Sequence, residues 1–403
     1  MLKKKLNFLI VAFLGGCLMF SCSEPEQESI APQRDDVLGF LSKPIPGRYI
    51  VTLANNANGR VEPQNYAEGQ ELMKQEVSSL FNENNIQTPH IRVFGNTIRG
   101  FVADLTPADL DNLRKDPSVL RIEQDQEITM KRPPWERDGG GDDGDSTGEE
   151  IPSGITRVNG GATYTGSNVA WILDTGIDLD HEDLNVDASR GFNAFTSGKD
   201  GKSTDDGNGH GTHVAGTIAA VDNEVGVVGV AAGATVIPVK VLGSRGSGSY
   251  SGVIAGIDFV GANGSAGDVA NMSLGGGASQ AVDDAVIAAS SSGVIFALAA
   301  GNESSDANGS SPARANGPNI VTISAMDASD NWASFSNYGN PPVDFCAPGV
   351  GIKSTWKNGG YNTISGTSMA TPHAAGVLLL GAARTDGTVN GDPDGNNDPI
   401  IVH

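Results

Sequence analysis

The sequence predicts an α/β protein with a doubly wound, mostly parallel sheet, preceded by a small ferredoxin-like α+β domain. From residue 151 onward, short apolar runs alternate with helical runs. Near-continuous apolar strands separated by helices are typical of parallel sheets that are covered on both faces. Between residues 44 and 130 the patterns follow the order βαββαβ, which predicts the ferredoxin-like domain.

Composition limits the classes of protein that remain. The chain has 403 residues, enough for two or three domains. Its formal net charge of −22 argues against a partner with a phosphate backbone or an anionic surface, so no nucleic acid is expected. Apolar residues make up 38% and charged residues 18%, which excludes an intrinsically disordered chain.

The first residues are typical of an export signal. Lys3–Lys5 precede an apolar stretch from Leu6 to Phe20, which is shorter than the roughly 20 residues that a membrane helix needs. Cys22 follows directly, and this arrangement resembles a bacterial lipoprotein signal, in which the cysteine is acylated. Cys17 remains an alternative. We therefore expect a signal over residues 1–22, a precursor anchored to a membrane by lipid, and a mature protein that is secreted or in the cell envelope.

Four further segments complete the predicted organisation. Residues 23–43 are polar and read as a tether, and 44–130 form the small domain. Residues 131–150 are rich in proline, glycine and acidic residues and predict a linker, and 151–403 form the large domain. The strands predicted in the small domain are Arg48–Leu53, Ile91–Phe94, Ile98–Leu105 and Val119–Asp125, and its helices are Tyr66–Asn84 and one that starts at Thr106.

The large domain has the same kind of local signals. Its predicted strands are Val169–Leu173, Thr235–Val241, Asp268–Ser273, Val294–Ala299 and Ile320–Ala325. Its predicted helices are His210–Val221, Ser251–Ala262 and Ala281–Ser291.

Three short motifs lie at strand ends or helix starts of the predicted sheet. In Asp174-Thr175-Gly176 an acid ends a strand; an aspartic protease would need a second such motif, and the sequence has none. In the second motif, a glycine loop places His210 at a helix start. His210 and His213 could suggest a metal site, but no third ligand is evident, and His213 is expected in the core.

In the third motif, Ser368 opens a helix rich in glycine and alanine. Serine is a common helix cap, so a structural role is an open alternative for this residue taken alone. A helix start also suits a nucleophile, because its free N–H groups stabilise developing negative charge.

Together the motifs are more specific than any one of them. A serine nucleophile needs an adjacent base, and a buried aspartate holds that histidine in one tautomer. The chain order Asp174, His210, Ser368 selects the subtilisin arrangement. Residues 151–381 resemble the subtilase family, and its proteinase K-like branch most closely. That branch usually carries disulfides, whereas this domain has Cys346 as its single cysteine.

The resemblance implies roles for further residues. Asn302 is expected to donate to the oxyanion, and Gly246–Tyr250 to pair with the substrate backbone. The residues implied in substrate binding are Gly246, Ser247, Gly248, Tyr250, Ser273, Leu274, Gly275, Ala299 and Gly301. The pocket segments carry no charge, so we expect an apolar or aromatic residue before the cut, the P1 residue.

Residues 44–130 resemble the inhibitor-type propeptide of subtilases. The matching phrases include Pro46–Val51, Gly100-Phe101 and Leu113–Val119. The resemblance implies a domain that assists folding, blocks the active site with its C-terminal tail and is then removed, with a cut within 130–150.

Calcium is the one cofactor that the resemblance implies. The backbone carbonyls of Pro318 and Ile320 and the carboxylate of Asp344 match a structural site of proteinase K-like enzymes. Asp344 capping a turn or pairing with Arg314 remains the alternative. Asp392–Asp398 spaces oxygen ligands as calcium loops do, but lacks the remote glutamate and is read as a solvated acidic loop.

The sequence thus predicts an exported serine endopeptidase, made as a zymogen. It would act as a monomer on proteins or peptides with broad specificity. The alternative is a non-catalytic binding protein of the same fold.

Overall fold

The computed structural model describes residues 37, 39–54, 63–131, 148–381 and 383–403. The predicted signal over 1–22, with Cys17 and Cys22, lies outside the described residues. So do most of the predicted tether and most of the predicted linker.

The small domain has the βαββαβ order that the sequence predicts. Its strands are β1 (Gly39–Leu53), β2 (His90–Phe94), β3 (Gly100–Asp104) and β4 (Val119–Lys131), and its helices are α1 (Tyr66–Glu83) and α2 (Pro107–Leu113). Asn65 caps α1 by accepting from the N–H of Glu68, and Thr106 and Asp109 form a reciprocal capping box at α2. The buried face of α1 packs on the sheet, with the residues Met73, Val77, Leu80 and Phe81.

The first strand corrects the predicted tether. Residues 23–43 were expected to be a tether up to position 43, but β1 begins at Gly39. Pro44 and Pro46 hid this strand, because proline cannot donate to a ladder and argues against a central strand. Residues 39–44 have β4 on one side only, since β3 pairs with residues 48–52. Proline is tolerated at such an edge.

The last strand is also longer than predicted. The sequence places its end at Asp125 and assigns residue 131 to the linker, whereas β4 runs to Lys131. Two partners hold the extension: residues 126–131 pair with β1, and residues 127–129 pair with a strand of the large domain. Pairing between distant segments decides this boundary.

The large domain is built around a ten-stranded sheet. The strands of the large domain, inside and outside this sheet, are in chain order β5 (Ala162–Thr163), β6 (Ala170–Asp174), β7 (Asn185–Val186), β8 (Phe192–Asn193), β9 (Ala231–Ala232), β10 (Thr235–Lys240), β11 (Ser247–Ser249), β12 (Val269–Met272), β13 (Gly276–Gly277), β14 (Ile295–Ala299), β15 (Ser310–Ser311), β16 (Ile320–Met326), β17 (Val343–Pro348), β18 (Ile352–Trp356), β19 (Gly360–Ile364), β20 (Arg384–Thr388) and β21 (Pro399–Val402). Its helices are α3 (Ser153–Arg157), α4 (His210–Ala219), α5 (Tyr250–Asn263), α6 (Gln280–Ser290) and α7 (Thr367–Leu380).

The order of strands in the sheet is β20-β21-β17-β16-β14-β12-β6-β10-β7, with β8 also on β10. All these pairs are parallel except β20 with β21. Parallel neighbours need crossover connections. Helices α4 to α7 lie in connections between strands of this sheet, whereas among the described residues no α-helix lies between β14 and β16 or between β16 and β17. The predicted doubly wound, mostly parallel sheet is confirmed.

The residues of β6 show how both faces of the sheet are covered. Trp171 and Leu173 belong to a core cluster with residues of α5 and α6. Ala170 and Ile172 belong to another cluster with residues of α4 and α7. Because side chains alternate along a strand, a fully apolar strand needs a helix layer on each side.

Within the described part of the chain, no helix is both long and apolar enough to span a bilayer.

Candidate active site

The three motif residues stand on three different elements. Asp174 is the last residue of β6, His210 is the first of α4, and Ser368 is the second of α7. In open α/β sheets, binding sites form at the carboxyl ends of the parallel strands, which is where Asp174 lies. All three are buried, with relative exposures of 0% for Asp174 and His210 and 1% for Ser368.

Asp174 and His210 are directly bonded. The Nδ1 of His210 lies 2.8 Å from Oδ1 of Asp174. The same carboxylate oxygen accepts from the backbone N–H of Thr175 at 2.7 Å. A buried carboxylate on Nδ1 fixes the tautomer in which Nε2 is the basic nitrogen.

The loop before α4 holds His210 in place, and Asp206 organises that loop. The carboxylate of Asp206 accepts hydrogen bonds from the backbone N–H groups of Asn208, Gly209 and Thr212, and from the Thr212 hydroxyl. Gly209 has a φ of 114°, and a Cβ there would lie 2.3 Å from the Trp356 ring. Sequence reasoning quoted this motif for His210 and missed the positioning role of Asp206.

Ser368 forms two hydrogen bonds with Ser273. Its Oγ donates to the carbonyl of Ser273 at 3.1 Å, and its carbonyl accepts from the Ser273 hydroxyl at 2.8 Å. The side chain of Asn271 donates to that hydroxyl at 2.9 Å. Ser273 was predicted to bind substrate; in the structure it contacts the nucleophile's backbone and does not line the pocket.

Asn302 is fixed by its neighbour in the third motif. Its Oδ1 accepts from the N–H of Thr367 at 2.8 Å and from the Thr367 hydroxyl at 3.0 Å. The Thr367 hydroxyl in turn accepts from the N–H of Gly301 at 3.2 Å. Sequence reasoning missed Thr367, although it lies beside the serine in the motif. Its polar side chain at a buried helix start was the available signal.

A cavity of about 220 Å³ lies beside Ser368. Leu274 and Gly275 line it together with Ala299–Gly301, the two segments that the resemblance implies in substrate binding. Glu303, which sequence reasoning missed, also lines this cavity. Its carboxylate accepts from the N–H of Asn302 at 2.9 Å and from the side chain of Asn337 at 2.8 Å.

The predicted edge strand pairs with the propeptide. In β11, Ser247 lies opposite Thr129 and Gly248 opposite Ile128, and the N–H of Met130 donates to the carbonyl of Gly246 at 2.8 Å. An extended chain that adds to a sheet edge binds mainly through its backbone, with pockets for alternate side chains.

Tyr250 and Ile128 meet next to this edge. Tyr250 is buried, its hydroxyl donates to the carbonyl of Gly277, and both Tyr250 and Ile128 approach Gly276. Ile128 is itself fully buried, so the propeptide tail fills the subsite predicted at Tyr250.

Acidic side chains of the small domain contact the starts of two helices. Asp125 is fully buried and accepts from the N–H and hydroxyl of Ser251 in the first turn of α5. Glu123 accepts from the hydroxyl of Ser279, the N-cap of α6. Burial raises the pKa of Asp125, and its hydrogen bonds with Ser251 oppose that rise. These contacts supply hydrogen-bond acceptors at the starts of two helices and thereby link the small domain to the large one.

The second predicted histidine is a core residue. Nε2 of His213 lies 2.9 Å from the carbonyl of Ile352 and 3.1 Å from that of Asn362. Burial lowers the pKa of His213 to about 3, so the ring is neutral. Among the described residues no group of three or more His, Cys, Asp or Glu side chains could hold a metal ion.

The residues implied in calcium binding lie near one another along the sheet. Asp344 is in β17, and its Oδ2 accepts from the N–H of Thr322 at 2.9 Å. Ile320 begins β16, two residues before Thr322, and Pro318 precedes it. Burial raises the pKa of Asp344. Arg314 is bonded to Asp283 at 2.5 Å, so the alternative of an Asp344–Arg314 pair is wrong.

Fold and geometry together define a serine peptidase, in which Asp174, His210 and Ser368 stand on a parallel α/β sheet and the N-terminal domain pairs with the edge strand β11. The chain belongs to the subtilase family: the model of that family (peptidase S8) matches residues 166–388, and the model of peptidase inhibitor I9 matches residues 48–131.

Proteins similar to this chain are named as serine proteases. Alkaline serine exoprotease A of Vibrio alginolyticus is 42% identical over 351 residues, covering 83% of this chain and 60% of that protein. The extracellular serine proteinase of a Thermus species is 39% identical over 385 residues, covering 91% and 87%. A solved structure of a cold adapted subtilisin-like serine proteinase is 43% identical, with a TM-score of 0.52, covering 58% of this chain and 88% of that one.

Proposed function

We propose that the triad Asp174, His210 and Ser368 gives this subtilase zymogen an endopeptidase activity directed at bonds that follow apolar or aromatic residues. The observation that carries the proposal is the 2.8 Å bond between Asp174 and His210, on the same sheet edge as a cavity lined by Ser368. The test is hydrolysis of casein by purified protein, with and without a serine-directed fluorophosphonate. Activity that the fluorophosphonate does not remove would contradict the assignment of Ser368.

Each residue has one role in the reaction. His210 takes the proton of the Ser368 hydroxyl through Nε2 as the Ser368 Oγ–carbon bond forms. The imidazolium is stabilised by Asp174 through Nδ1–H. His210 then gives that proton to the leaving nitrogen as the carbon–nitrogen bond breaks. A water molecule, deprotonated by the same ring, attacks the acyl-enzyme and releases the acid and the free serine.

The oxyanion would be held by the Asn302 side chain and the Ser368 backbone N–H. The hydrogen bonds from Thr367 to Asn302 Oδ1 support this role. Because these bonds fix the Oδ1 atom towards Thr367, the NH₂ group of the same Asn302 amide is directed away from Thr367. Donors fixed in advance cost no reorganisation as the charge develops.

The preference for an apolar P1 residue follows from the lining of the cavity. Leu274, Ala299, Ala300 and Ala313 contribute apolar surface. Among the described residues that line the cavity, Glu303 has the one charged side chain. Asn302 and Asn337 both donate to the same oxygen of its carboxylate. An apolar P1 residue gains burial against this surface, whereas the Glu303 carboxylate is exposed to solvent, where an ion pair with a basic P1 residue contributes little.

Export is part of the proposal. The basic start and the apolar stretch of residues 6–20 support it, and a relative from Thermus bears the name extracellular serine proteinase. Acylation of Cys22 is the finer proposal, tested by feeding labelled palmitate to expressing cells. Label in the wild-type precursor that is lost in Cys22→Ala, but kept in Cys17→Ala, supports it. An unlabelled wild type contradicts it.

A structural calcium ion held by Pro318, Ile320 and Asp344 is also proposed. Carbonyl and carboxylate oxygens are the hard ligands that Ca²⁺ prefers. Asp344 is partly buried, and among the described residues the Thr322 N–H is its one hydrogen-bond donor. A cation at this position would compensate the charge that burial disfavours.

A further inference from the structure

The substrate cleft of the precursor holds two strands of the small domain. One is the tail, residues 127–131 at the end of β4. The other, here called the arm, is Gly39–Lys43 at the start of β1, which pairs antiparallel with the tail from Gly39↔Lys131 to Lys43↔Glu127. The arm lies ahead of the part that matches the inhibitor family, residues 48–131.

The arm lies against His210 and the cavity beside Ser368, although the resemblance assigns the blocking of the active site to the tail. The ring of Phe40 stands edge-on to the His210 ring, with centroids 6.4 Å apart. Phe40, Leu41 and Ser42 line the cavity beside Ser368, whereas the tail does not. The Ser42 hydroxyl accepts from the N–H of Gly277 at 2.9 Å, on the cavity wall. The arm therefore separates the tail from the P1 pocket.

Val37, two residues ahead of the arm, contacts the segment that leads to Ser368. Val37 pairs with Ser365, three residues before Ser368, and packs in a cluster with Phe335. A second cavity of about 220 Å³ is lined by Val37, Phe40 and Asn302, and also by Lys131 at the end of the tail. Val37 and the arm thus lie against both the segment before Ser368 and the His210 ring.

The chain direction of the arm is opposite to that of a substrate. The tail must run in the substrate direction. When the propeptide is cut off, the residue at its C-terminal end is the one that is transferred to the serine as the acyl group. The arm is antiparallel to the tail. In a reversed chain the carbonyl and the N–H exchange places. Ser368 then does not face a carbonyl carbon whose leaving nitrogen lies next to His210, so the geometry needed for cleavage is absent.

We propose that the arm is an inhibitory strand in its own right, which covers His210 and Ser368 and keeps the tail out of the P1 pocket until it leaves the cleft. The proposal rests on the peptidase activity of the triad and adds to it a step before processing. The nearly complete burial of His210 and Ser368 in the precursor is the state that this step would open. Because its direction is reversed, the arm blocks without being cut.

The test measures access to Ser368 in the full precursor. A fluorophosphonate reacts when the Ser368 oxygen displaces fluoride from phosphorus and His210 takes the serine proton. The label on the precursor band is followed on gels over time. The variants are Phe40→Ala with Ser42→Ala, and a precursor whose propeptide begins at Pro44. Leu120→Ala, an exposed apolar residue of β4 outside the cleft, is the matched control.

Both arm variants should label about tenfold faster or more, since reaction of a transiently open state follows its population. Their conversion to mature enzyme should be faster too. Leu120→Ala should behave as wild type, and kcat/KM of the mature enzymes should be equal, because none of them retains the arm. The point variants keep the test informative if the deletion prevents folding.

Three outcomes would overturn the proposal. The first is equal labelling rates of wild type, arm variants and control. The second is a self-cut between Gly39 and Lys43 that precedes the cut after the tail, found by mass spectrometry of the released fragments. The third is a wild-type mature protein that neither labels nor cleaves casein, which would remove the peptidase function itself and is told apart by that activity assay.

Discussion

The side-chain oxygen of Asn302 accepts two hydrogen bonds from Thr367, one from the backbone N–H at 2.8 Å and one from the hydroxyl at 3.0 Å. Thr367 is the residue before the nucleophile. The start of α7 therefore positions the serine and orients the amide expected to stabilise the oxyanion.

Thr367→Val should lower kcat by about tenfold, because one hydrogen bond of about 0.5–1.5 kcal/mol no longer orients the amide. KM should change little, since the interaction matters once charge develops on the oxygen. Steady-state kinetics on a chromogenic peptide measure both. Asn302→Ala should lower kcat by about 10²–10³, the loss found when this kind of donor is removed from subtilisin, a relative of this chain. A Thr367→Val effect on KM alone would contradict the orienting role.

Ser368→Ala should leave the precursor of 41.5 kDa unprocessed. The expectation follows from a propeptide seated in the cleft of its own catalytic domain, so that the first cut is autocatalytic. Gel analysis of purified Ser368→Ala after refolding measures it. Ser329→Ala, a loop serine that donates its N–H to Asp327, is the matched control and should mature. Processing of pure Ser368→Ala without added protease would show that another enzyme makes the cut.

A peptide library should give cleavage mainly after apolar or aromatic residues. The cavity lining is apolar, and the carboxylate of Glu303 is engaged by Asn302 and Asn337. Mass spectrometry of the products identifies the residue before each cut. Glu303→Gln should change the apolar preference little. A profile led by lysine or arginine that Glu303→Gln removes would mean that this carboxylate selects the substrate.

Chelation of calcium should lower the melting temperature. Binding to the folded state alone contributes about 2.7 kcal/mol at a hundredfold excess over Kd, and EGTA removes it. The measurement uses the Ser368→Ala precursor to avoid self-digestion. Asp344→Asn should lose most of the response, while Asp394→Asn, at an exposed position of the large domain, should keep it. An unchanged melting temperature with EGTA would show that no calcium site stabilises this fold.

The carboxyl of Asp398 should make stability depend on pH, because it is buried, in contrast to the solvated acidic loop that the sequence predicted for Asp392–Asp398. Burial raises the pKa of Asp398 to about 6, with a hydrogen bond from Ser324 opposing the rise. The unfolded value is near 3.9, so the folded state binds the proton more tightly. Its stabilising contribution is complete below about pH 4 and is lost as the pH rises through about 6.

Asp398→Asn should therefore flatten the fall of the free energy of unfolding between about pH 4 and 6. Urea unfolding of the Ser368→Ala protein at several pH values, with and without the second change, measures the difference. Asp111→Asn, at an exposed position of α2, is the control for losing a carboxylate at the surface. Parallel curves with and without Asp398→Asn would contradict the assignment.

Local signals account for what could be read directly from the chain. The apolar face of α1, the capping residues of α2 and the apolar runs of the large sheet identified their elements within a few residues, because these signals depend on neighbours in sequence. The triad was identified from three separate motifs, since the residue types and their chain order carry the chemistry.

Long-range pairing accounts for what could not. The strand character of Gly39–Lys43 comes from a partner about ninety residues away in the chain, and the prolines that follow argue against a strand on local grounds. The roles of Asp206, Thr367 and Glu303 likewise depend on which backbone N–H groups the fold brings to them.

The sequence by itself determined the class of fold, the propeptide and the three residues proposed to be catalytic, because periodicity, capping and residue chemistry are local properties. Only the tertiary structure decided which strand of the propeptide lies against the nucleophile. That choice depends on hydrogen bonds between distant segments, from the arm to the tail and to the Gly277 wall. No local pattern encodes such pairing, since any extended segment offers the same backbone donors and acceptors.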